Sequence, residues 1–317
     1  MTDGIRLCVV IPFYNAERHL TDDYRAFLSS LQQAPHIQTI LYDSSSTDET
    51  RERLAEWGLE DDLTVIPKRE FDHGGTRTRA AKQCQAEVVV FLTQDARPVS
   101  LADIERLVAV FENPAIAAAF GRQLPHPDAR FFARHLRQFN YPETSYVRTW
   151  SDRLQFGLKA AFLSNSFAAY RCSAMNDIDW FPEGILLGED SYAGAKLLQA
   201  GYALAYVAEA QAHHSHNYSI VQEFQRYFDI GAFHQMQASV LAPFGKAEGE
   251  GRRYLMSEWG LLRQERRYDL LPAFVARNAM KYLGYRLGKG HRRLPMFLIK
   301  KFSMHPQWWL NRQTGSR

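Results

Sequence analysis

Val88-Val89-Val90-Phe91-Leu92-Thr93-Gln94-Asp95-Ala96 runs uncharged and apolar for five residues and then turns polar. Such a run of β-branched and aromatic residues predicts a strand buried on both faces, as strands of a parallel sheet are. It breaks at Gln94 and Asp95, where the backbone must turn. Ligands of open α/β sheets collect at the carboxyl ends of the strands, so an acid placed here faces a bound substrate or caps the helix that starts near Ser100.

The segments before this run repeat its pattern. Leu7-Cys8-Val9-Val10-Ile11-Pro12-Phe13-Tyr14-Asn15 reads as a buried strand that Pro12 ends, because proline cannot donate into a central ladder. A charged helical stretch, roughly residues 16–33, separates it from a second strand, Thr39-Ile40-Leu41-Tyr42. That strand enters Asp43-Ser44-Ser45-Ser46-Thr47-Asp48, whose side chains compete for nearby backbone donors and so predict a loop and helix N-cap. A helix over 49–57 and a short strand over 63–67 follow. Phe71-Asp72-His73-Gly74-Gly75-Thr76-Arg77-Thr78-Arg79 then opens the helix that feeds Val88. Strands alternating with helices predict an α/β fold with a doubly wound, mostly parallel sheet. No G-x-G-x-x-G follows the first strand and no P-loop pattern is present, which excludes the common dinucleotide and P-loop sites.

The 317 residues suffice for one large domain or a domain with an appendage, and a hydrophobic content of 46% supports a sizeable core. A net charge of +3 points to no special partner, but its distribution is lopsided: no acid follows Asp269, whereas Arg286, Lys289, Arg292, Arg293, Lys300, Lys301 and others do. Cys8, Cys84 and Cys172 are scattered and odd in number, which predicts a reduced compartment and argues against a disulfide framework or a cysteine-rich zinc site. The apolar run 7–13 is too short for a signal peptide, and no stretch approaches the roughly 18 apolar residues of a membrane span. A cytoplasmic location is expected.

Taken together, the first strand ending at Asn15, the second ending at Asp43 with Ser46-Thr47-Asp48, Arg77 ahead of a strand that ends in a D-x-D-like site, Gly188-Glu189-Asp190 before a helix, and His214 after a strand resemble the family 2 glycosyltransferases of GT-A fold. The likeness covers roughly residues 5–217 in the family's order. Asp43-Ser44-Ser45, Leu92-Thr93-Gln94-Asp95-Ala96 and His214-Ser215-His216-Asn217-Tyr218-Ser219 look like its rhamnosyltransferase branch. The resemblance implies an inverting transferase that moves a sugar, L-rhamnose from dTDP-L-rhamnose, onto a saccharide or polyprenyl-linked acceptor in bacterial surface polysaccharide synthesis. A UDP-sugar donor is the alternative within the class, and a non-catalytic nucleotide-binding scaffold the alternative outside it.

The resemblance also implies residue roles. Pro12, Tyr14 and Asp43 would surround the base and ribose, where the Asp43 carboxylate can accept the N3–H of the base or else cap its helix. Gly74 and Gly75 would let the backbone approach the nucleotide, and Arg77 would face the phosphates, brace Asp95 or stand as a surface charge. Gln94 and Asp95 would meet the nucleotide sugar. Asp95 holds the last position of the D-x-D, whose first position is here Thr93. A divalent cation, Mg2+ or Mn2+, would rest on Asp95 with His214 and His216, which lie on one side of an extended segment while His213 points away. Imidazole favours Mn2+ over Mg2+. Asp190 would be the general base or, with Glu189, a helix cap. Residues 125–151, without clean periodicity, read as a mobile acceptor-side insertion or a surface excursion, and 162–171 as a strand near the sugar.

Two domains are expected: a nucleotide-sugar-binding and catalytic unit, 1–218, and a helical, basic extension, 219–317. Helical segments over 224–236, 252–267, 272–287 and 294–302 precede Trp308-Trp309. Basic residues with tryptophan on amphipathic helices suit the anionic inner face of a plasma membrane, and equally a helical cap or homo-oligomer interface. No nucleic-acid motif accompanies the charge, and no nucleic-acid partner is expected.

Overall fold

The computed structural model describes residues 7–245 and 248–314. Its strands are β1 (Leu7–Phe13), β2 (Ile37–Asp43), β3 (Leu63–Val65), β4 (Val88–Leu92), β5 (Arg97–Pro98), β6 (Ile116–Leu124), β7 (Tyr146–Arg148), β8 (Phe167–Arg171) and β9 (Ala203–His213). They form one sheet in the order β3-β2-β1-β4-β8-β6-β9-β5, with β7 paired to β9. The half from β3 to β4 is parallel. β8 runs antiparallel to both β4 and β6, and β6 is again parallel to β9.

The Val88 run is therefore central, with β1 on one side and β8 on the other. All five of its residues are buried. Val89 and Phe91 enter the core on one face of the sheet, and Val88, Val90 and Leu92 the core on the other, as the period-2 alternation of a strand requires. Each such fully buried side chain contributes about 1.5–3 kcal/mol. Pro12 does not end β1, which continues to Phe13. Pairing with β4 stops at Val10↔Phe91, so the N–H that Pro12 lacks falls where no neighbour on that side asks for it.

Helices α1 (Asp22–Gln32), α2 (Thr50–Glu56), α3 (His73–Gln83), α4 (Leu101–Ala109), α5 (Phe131–Asn140), α6 (Arg153–Phe156), α7 (Cys172–Asn176) and α8 (Glu189–Gln199) accompany the sheet. Helix α5 and strand β7 correct the reading of 125–151 as irregular. Phe131, Phe132 and His135 of α5 are buried, and His135 and Arg134 reach Ser257 and Glu265 of the C-terminal segment. The basic residues interleaved on this helix hide its apolar face from a periodicity count. The strand expected over 162–171 is confined to β8.

A second correction concerns cysteine. Cys8 of β1 and Cys84, just after α3, form a disulfide with 5.9 Å between their Cα atoms. They lie 76 residues apart in sequence and meet only because α3 returns the chain to the start of the β1–β4 pair. Cys172 remains a free thiol, and burial pushes its pKa up to about 11.

Beyond the sheet, Ser219 starts α9 (Ile220–Met236) with a capping box shared with Gln222. Then come α10 (Ala238–Leu241), α11 (Glu248–Gln264), α12 (Leu271–Lys289), α13 (Met296–Phe302) and α14 (Pro306–Thr314). Helices α9 and α12 touch backbone to backbone, since a Cβ on Gly288 would lie 1.9 Å from the Phe228 carbonyl oxygen. Phe233, Leu241 and Phe244 join the core that contains Val89 and Phe91. Phe228, Ile299 and Trp309 form a smaller cluster with Leu186, just ahead of α8. No helix among the described residues is long and apolar enough to cross a membrane.

Candidate active site

The turn after β4 and the end of β9 meet at three side chains. His214 Nε2 lies 3.6 Å and His216 Nε2 3.5 Å from the same oxygen of Asp95, Oδ2. Their donor atoms all fall within 4.8 Å of one another. The other Asp95 oxygen accepts the Thr93 hydroxyl at 2.7 Å, so Thr93, in the first D-x-D position, orients the acid. His213 points the other way, toward the Pro125 carbonyl and the His126 ring.

Tautomers follow from the neighbours. His214 Nδ1 is 2.8 Å from Gln123 Oε1, which can only accept, and 3.3 Å from Arg137 Nη1, which can only donate; the shorter contact favours the ring proton on Nδ1, with the Nε2 lone pair toward Asp95. Burial holds both imidazoles in the neutral form: it lowers His214 against the pull of Asp95, and with the neighbouring His214 it pushes His216 down to about 3. Two neutral nitrogen donors and a carboxylate facing one point are the ligand chemistry of a divalent transition cation, and Gln123 is the outer partner that such a histidine needs. The residues present fit the group.

The loops after β1 and β2 form the adjoining wall. Gln94 Oε1 accepts the Tyr14 backbone N–H at 2.7 Å, and Gln94 Nε2 donates to the Tyr14 carbonyl at 3.1 Å. Gln94 thus spends its amide on the β1 loop. Tyr14 and Pro12 are half-buried, and Lys68 donates to the Tyr14 hydroxyl at 2.5 Å. Asp43 is 0% exposed, and both of its oxygens are taken by Ser46, through the backbone N–H at 2.9 Å and the hydroxyl at 2.5 Å. In this conformation it braces the loop. At Gly74 a Cβ would stand 2.2 Å from the Pro182 carbonyl oxygen, so the missing side chain serves close packing against the Pro182 segment. Gly75 donates its N–H to Asp72, the N-cap of α3, at 2.6 Å.

Arg77 is likewise turned inward. It is 4% exposed, donates from Nη1 to the His73 carbonyl at 2.9 Å, and pairs through Nη1 with Glu189 at 3.3 Å. It braces Glu189, and no described contact joins it to Asp95. Glu189 and Asp190 open α8 behind Gly188, whose φ of 75° lets the chain turn sharply into the helix. Asn165 organises the pair: its side-chain amide donates to Glu189 at 3.0 Å, its backbone N–H to Asp190 at 3.2 Å, and its oxygen accepts from the Tyr170 hydroxyl at 2.7 Å. Burial, reinforced by the neighbouring Glu189 charge, raises the Asp190 pKa to about 6. Glu189 moves down: burial opposes its charge, but Arg77, His73 and Asn165 prevail. One carboxylate is thus fixed as a charge and the other poised to take a proton near neutrality.

Sequence reasoning missed Gln123, Asn165 and Arg137. Arg137 sits on α5, with Nη1 against Gln123 Oε1 and 3.3 Å from His214 Nδ1. Burial lowers its pKa, no carboxylate pairs with it among the described residues, and its Nε has no partner. Only its place in a basic run could have drawn attention to it. The far extension also reaches the site, where the His305 ring stands edge-on to His73 at 5.7 Å.

A family model described as glycosyl transferase family 2 matches residues 8–179. The chain is 41% identical over 310 residues to the O-antigen chain rhamnosyltransferase WbaN of Salmonella anatum, covering 97% of both chains. It is also 41% identical over 315 residues to the O-antigen chain rhamnosyltransferase RfbN of Salmonella typhimurium, covering 98% of each. Among solved structures, the mannosyltransferase PcManGT from Pyrobaculum calidifontis in complex with GDP-Man and Mn2+ matches 92% of this chain and 89% of its own, with a TM-score of 0.63 at 15% identity. TarS 1–349 of S. aureus, in complex with UDP-GlcNAc, matches 91% and 92% with a TM-score of 0.51 at 16% identity. At such identities the structures speak for the fold alone, a GT-A sheet flanked by helices. The family match over more than half of the chain, with relatives at 41% identity along nearly all of it, places this protein among the family 2 glycosyltransferases.

Proposed function

We propose that the protein transfers L-rhamnose from dTDP-L-rhamnose, with inversion, onto a saccharide or polyprenyl-linked acceptor of a bacterial surface polysaccharide. The rhamnosyl donor and the O-antigen setting are taken from relatives that match end to end. The observation that carries the reading is the Asp95–His214–His216 cluster at the strand ends, two neutral imidazoles turned on one carboxylate oxygen.

Asp95, His214 and His216 would hold a divalent cation, with Mn2+ suited better than Mg2+ to two imidazoles. When bound, that cation supplies Lewis-acid neutralisation of the pyrophosphate that leaves. Arg137, a buried guanidinium without a counter-charge, is placed to receive a phosphate oxygen beside it. Tyr14 and Pro12 line the nucleotide wall, which Asp43 and Gln94 shape. Asp190 takes the proton of the acceptor hydroxyl as that oxygen bonds to the anomeric carbon and the bond to the β-phosphate breaks, releasing dTDP. A single displacement inverts the configuration. We read 1–218 as the catalytic unit and 219–317 as an extension that shares its core and turns a basic surface toward an anionic membrane.

Release of dTDP from dTDP-L-rhamnose without acceptor tests the reading. Slow, Mn2+-dependent release by the wild type that disappears in Asp95→Ala is the expected result. Release from UDP-sugars but not from dTDP-L-rhamnose would refute the donor assignment, and no release from any nucleotide sugar would refute the enzyme.

A further inference from the structure

Helix α9 pins the stretch between α13 and α14 in place. Asp229, 0% exposed and with no ion pair among the described residues, accepts the Met304 N–H at 2.8 Å. The buried Ser303 hydroxyl oxygen accepts the His305 N–H at 2.8 Å. Burying an unpaired acid is costly, and here the acid fixes the backbone one residue before His305. Phe302 and Trp309, on either side of this stretch, pack on Phe228 in the cluster that also holds Leu186, just ahead of α8. His305 is thus positioned from both sides.

Its ring meets His73 edge-on at 5.7 Å, and His73 meets Phe71 edge-on at 5.1 Å. Neither imidazole makes a hydrogen bond or ion pair among the described residues; both residues bond through backbone atoms alone. Burial, with His73 and Arg226, pushes His305 down to about 4, and burial lowers His73 against the pull of Glu189. Each ring is therefore neutral near neutrality and offers one N–H and one lone pair. Among the described residues only Asp95, His214 and His216 gather as metal ligands, so the pair is no cation site. Groups that both donate and accept suit hydroxyls, and the Phe71 ring adds an apolar face for C–H groups; a saccharide presents both. The carboxylate that acts on both rings is Glu189, next to Asp190, and not Asp95. In a single displacement the attacking hydroxyl lies on the side of the base, away from the leaving diphosphate.

We propose that His305 and His73 form a subsite for the acceptor saccharide, hydrogen-bonding its hydroxyls beside Asp190, so that the C-terminal helices complete the active site. This rests on the transferase reading above and adds residues that would select the acceptor.

The test follows the imidazole resonances of His73 and His305, assigned through His73→Gln and His305→Gln, in the full chain saturated with dTDP and Mg2+. Probes are the methyl α-pyranosides of glucose, galactose and mannose. At least one should shift both rings saturably. His305→Ala should weaken its binding about three- to tenfold, and His305→Gln, which keeps a donor and an acceptor, should restore most of it. In turnover, KM for the acceptor should rise by the same factor in His305→Ala while KM for the donor holds within about twofold. No saturable shift with any of the three sugars overturns the proposal, as do equal sugar affinities in wild type and His305→Ala. Shifts caused by dTDP-L-rhamnose and by no free sugar would assign the pair to the donor and also overturn it. Equal rises in both KM values, without rescue by Gln, would leave His305 a packing residue only and refute the subsite. The shifts are read without turnover, so they succeed or fail independently of the donor-release assay.

Discussion

Asp190→Asn separates catalysis from helix capping, because the two roles predict opposite changes in stability. The variant keeps the side-chain volume and an oxygen for the Ser191 N–H, which Asp190 accepts at 2.7 Å. It removes the proton-accepting charge, and general-base assistance of this kind is worth about 10²–10⁴ in rate, or roughly 2.7–5.4 kcal/mol of barrier. It also removes repulsion from Glu189. Because burial and Glu189 raise the folded pKa to about 6, the folded protein holds a proton that the unfolded chain has already released below that pH. Stability linked to Asp190 is therefore greatest below the ordinary carboxylate pKa and declines as pH rises through about 6. With allowance for its partial exposure, neutralising the group should stabilise the fold at pH 7 by about 1–2 kcal/mol. Activity runs the other way, with kcat falling on the acid side of a limb near 6. Initial rates between about pH 5 and 8, with urea unfolding of both proteins, read the two effects. A variant that retains a tenth or more of the activity refutes the base assignment. A variant that loses stability shows that the hydrogen bonds Asp190 accepts from the Asn165 and Ser191 N–H groups, of which Asn can keep one, outweigh the repulsion from Glu189.

Three further outcomes are expected. Gln123→Ala removes the acceptor that fixes the His214 tautomer and should weaken Mn2+ binding about 10–100-fold by calorimetric titration, while equal affinity would reject that tautomer. Arg77→Ala leaves Glu189 buried without its counter-charge and should cost about 3–5 kcal/mol in urea unfolding; a loss below about 1 kcal/mol would show that the pair carries little. Cys84→Ser should lower stability by about 4 kcal/mol under oxidising conditions, from a loop of 76 residues, and by far less once the wild type is reduced. Two titratable thiols more in unreduced wild type than the disulfide allows would exclude the bond.

The sheet was legible because β1, β2 and β4 are short apolar runs that end in turn-forming polar residues, and because His214 and His216 share a side of an extended segment. What escaped notice depends on partners far away in the chain. Nothing beside Arg77 in the sequence announces Glu189, more than a hundred residues on, as its partner. Nor does anything beside Gly74 announce the Pro182 carbonyl that packs against it. Cys8 and Cys84 read as unrelated, and Arg137 as one basic residue among several. In each case the residue type was visible and the tertiary neighbour was not.

The double hydrogen bond between Gln94 and the Tyr14 backbone extends the contact of β1 with β4 past the point where ladder pairing has ceased. It fastens the loop after β1, the proposed nucleotide wall, to the residue directly before Asp95, so displacement of one displaces the other. Donor and cation would then be thermodynamically linked. Whatever factor by which the nucleotide tightens the cation, the cation must return to the nucleotide, and breaking the clamp would uncouple two affinities while leaving each site intact.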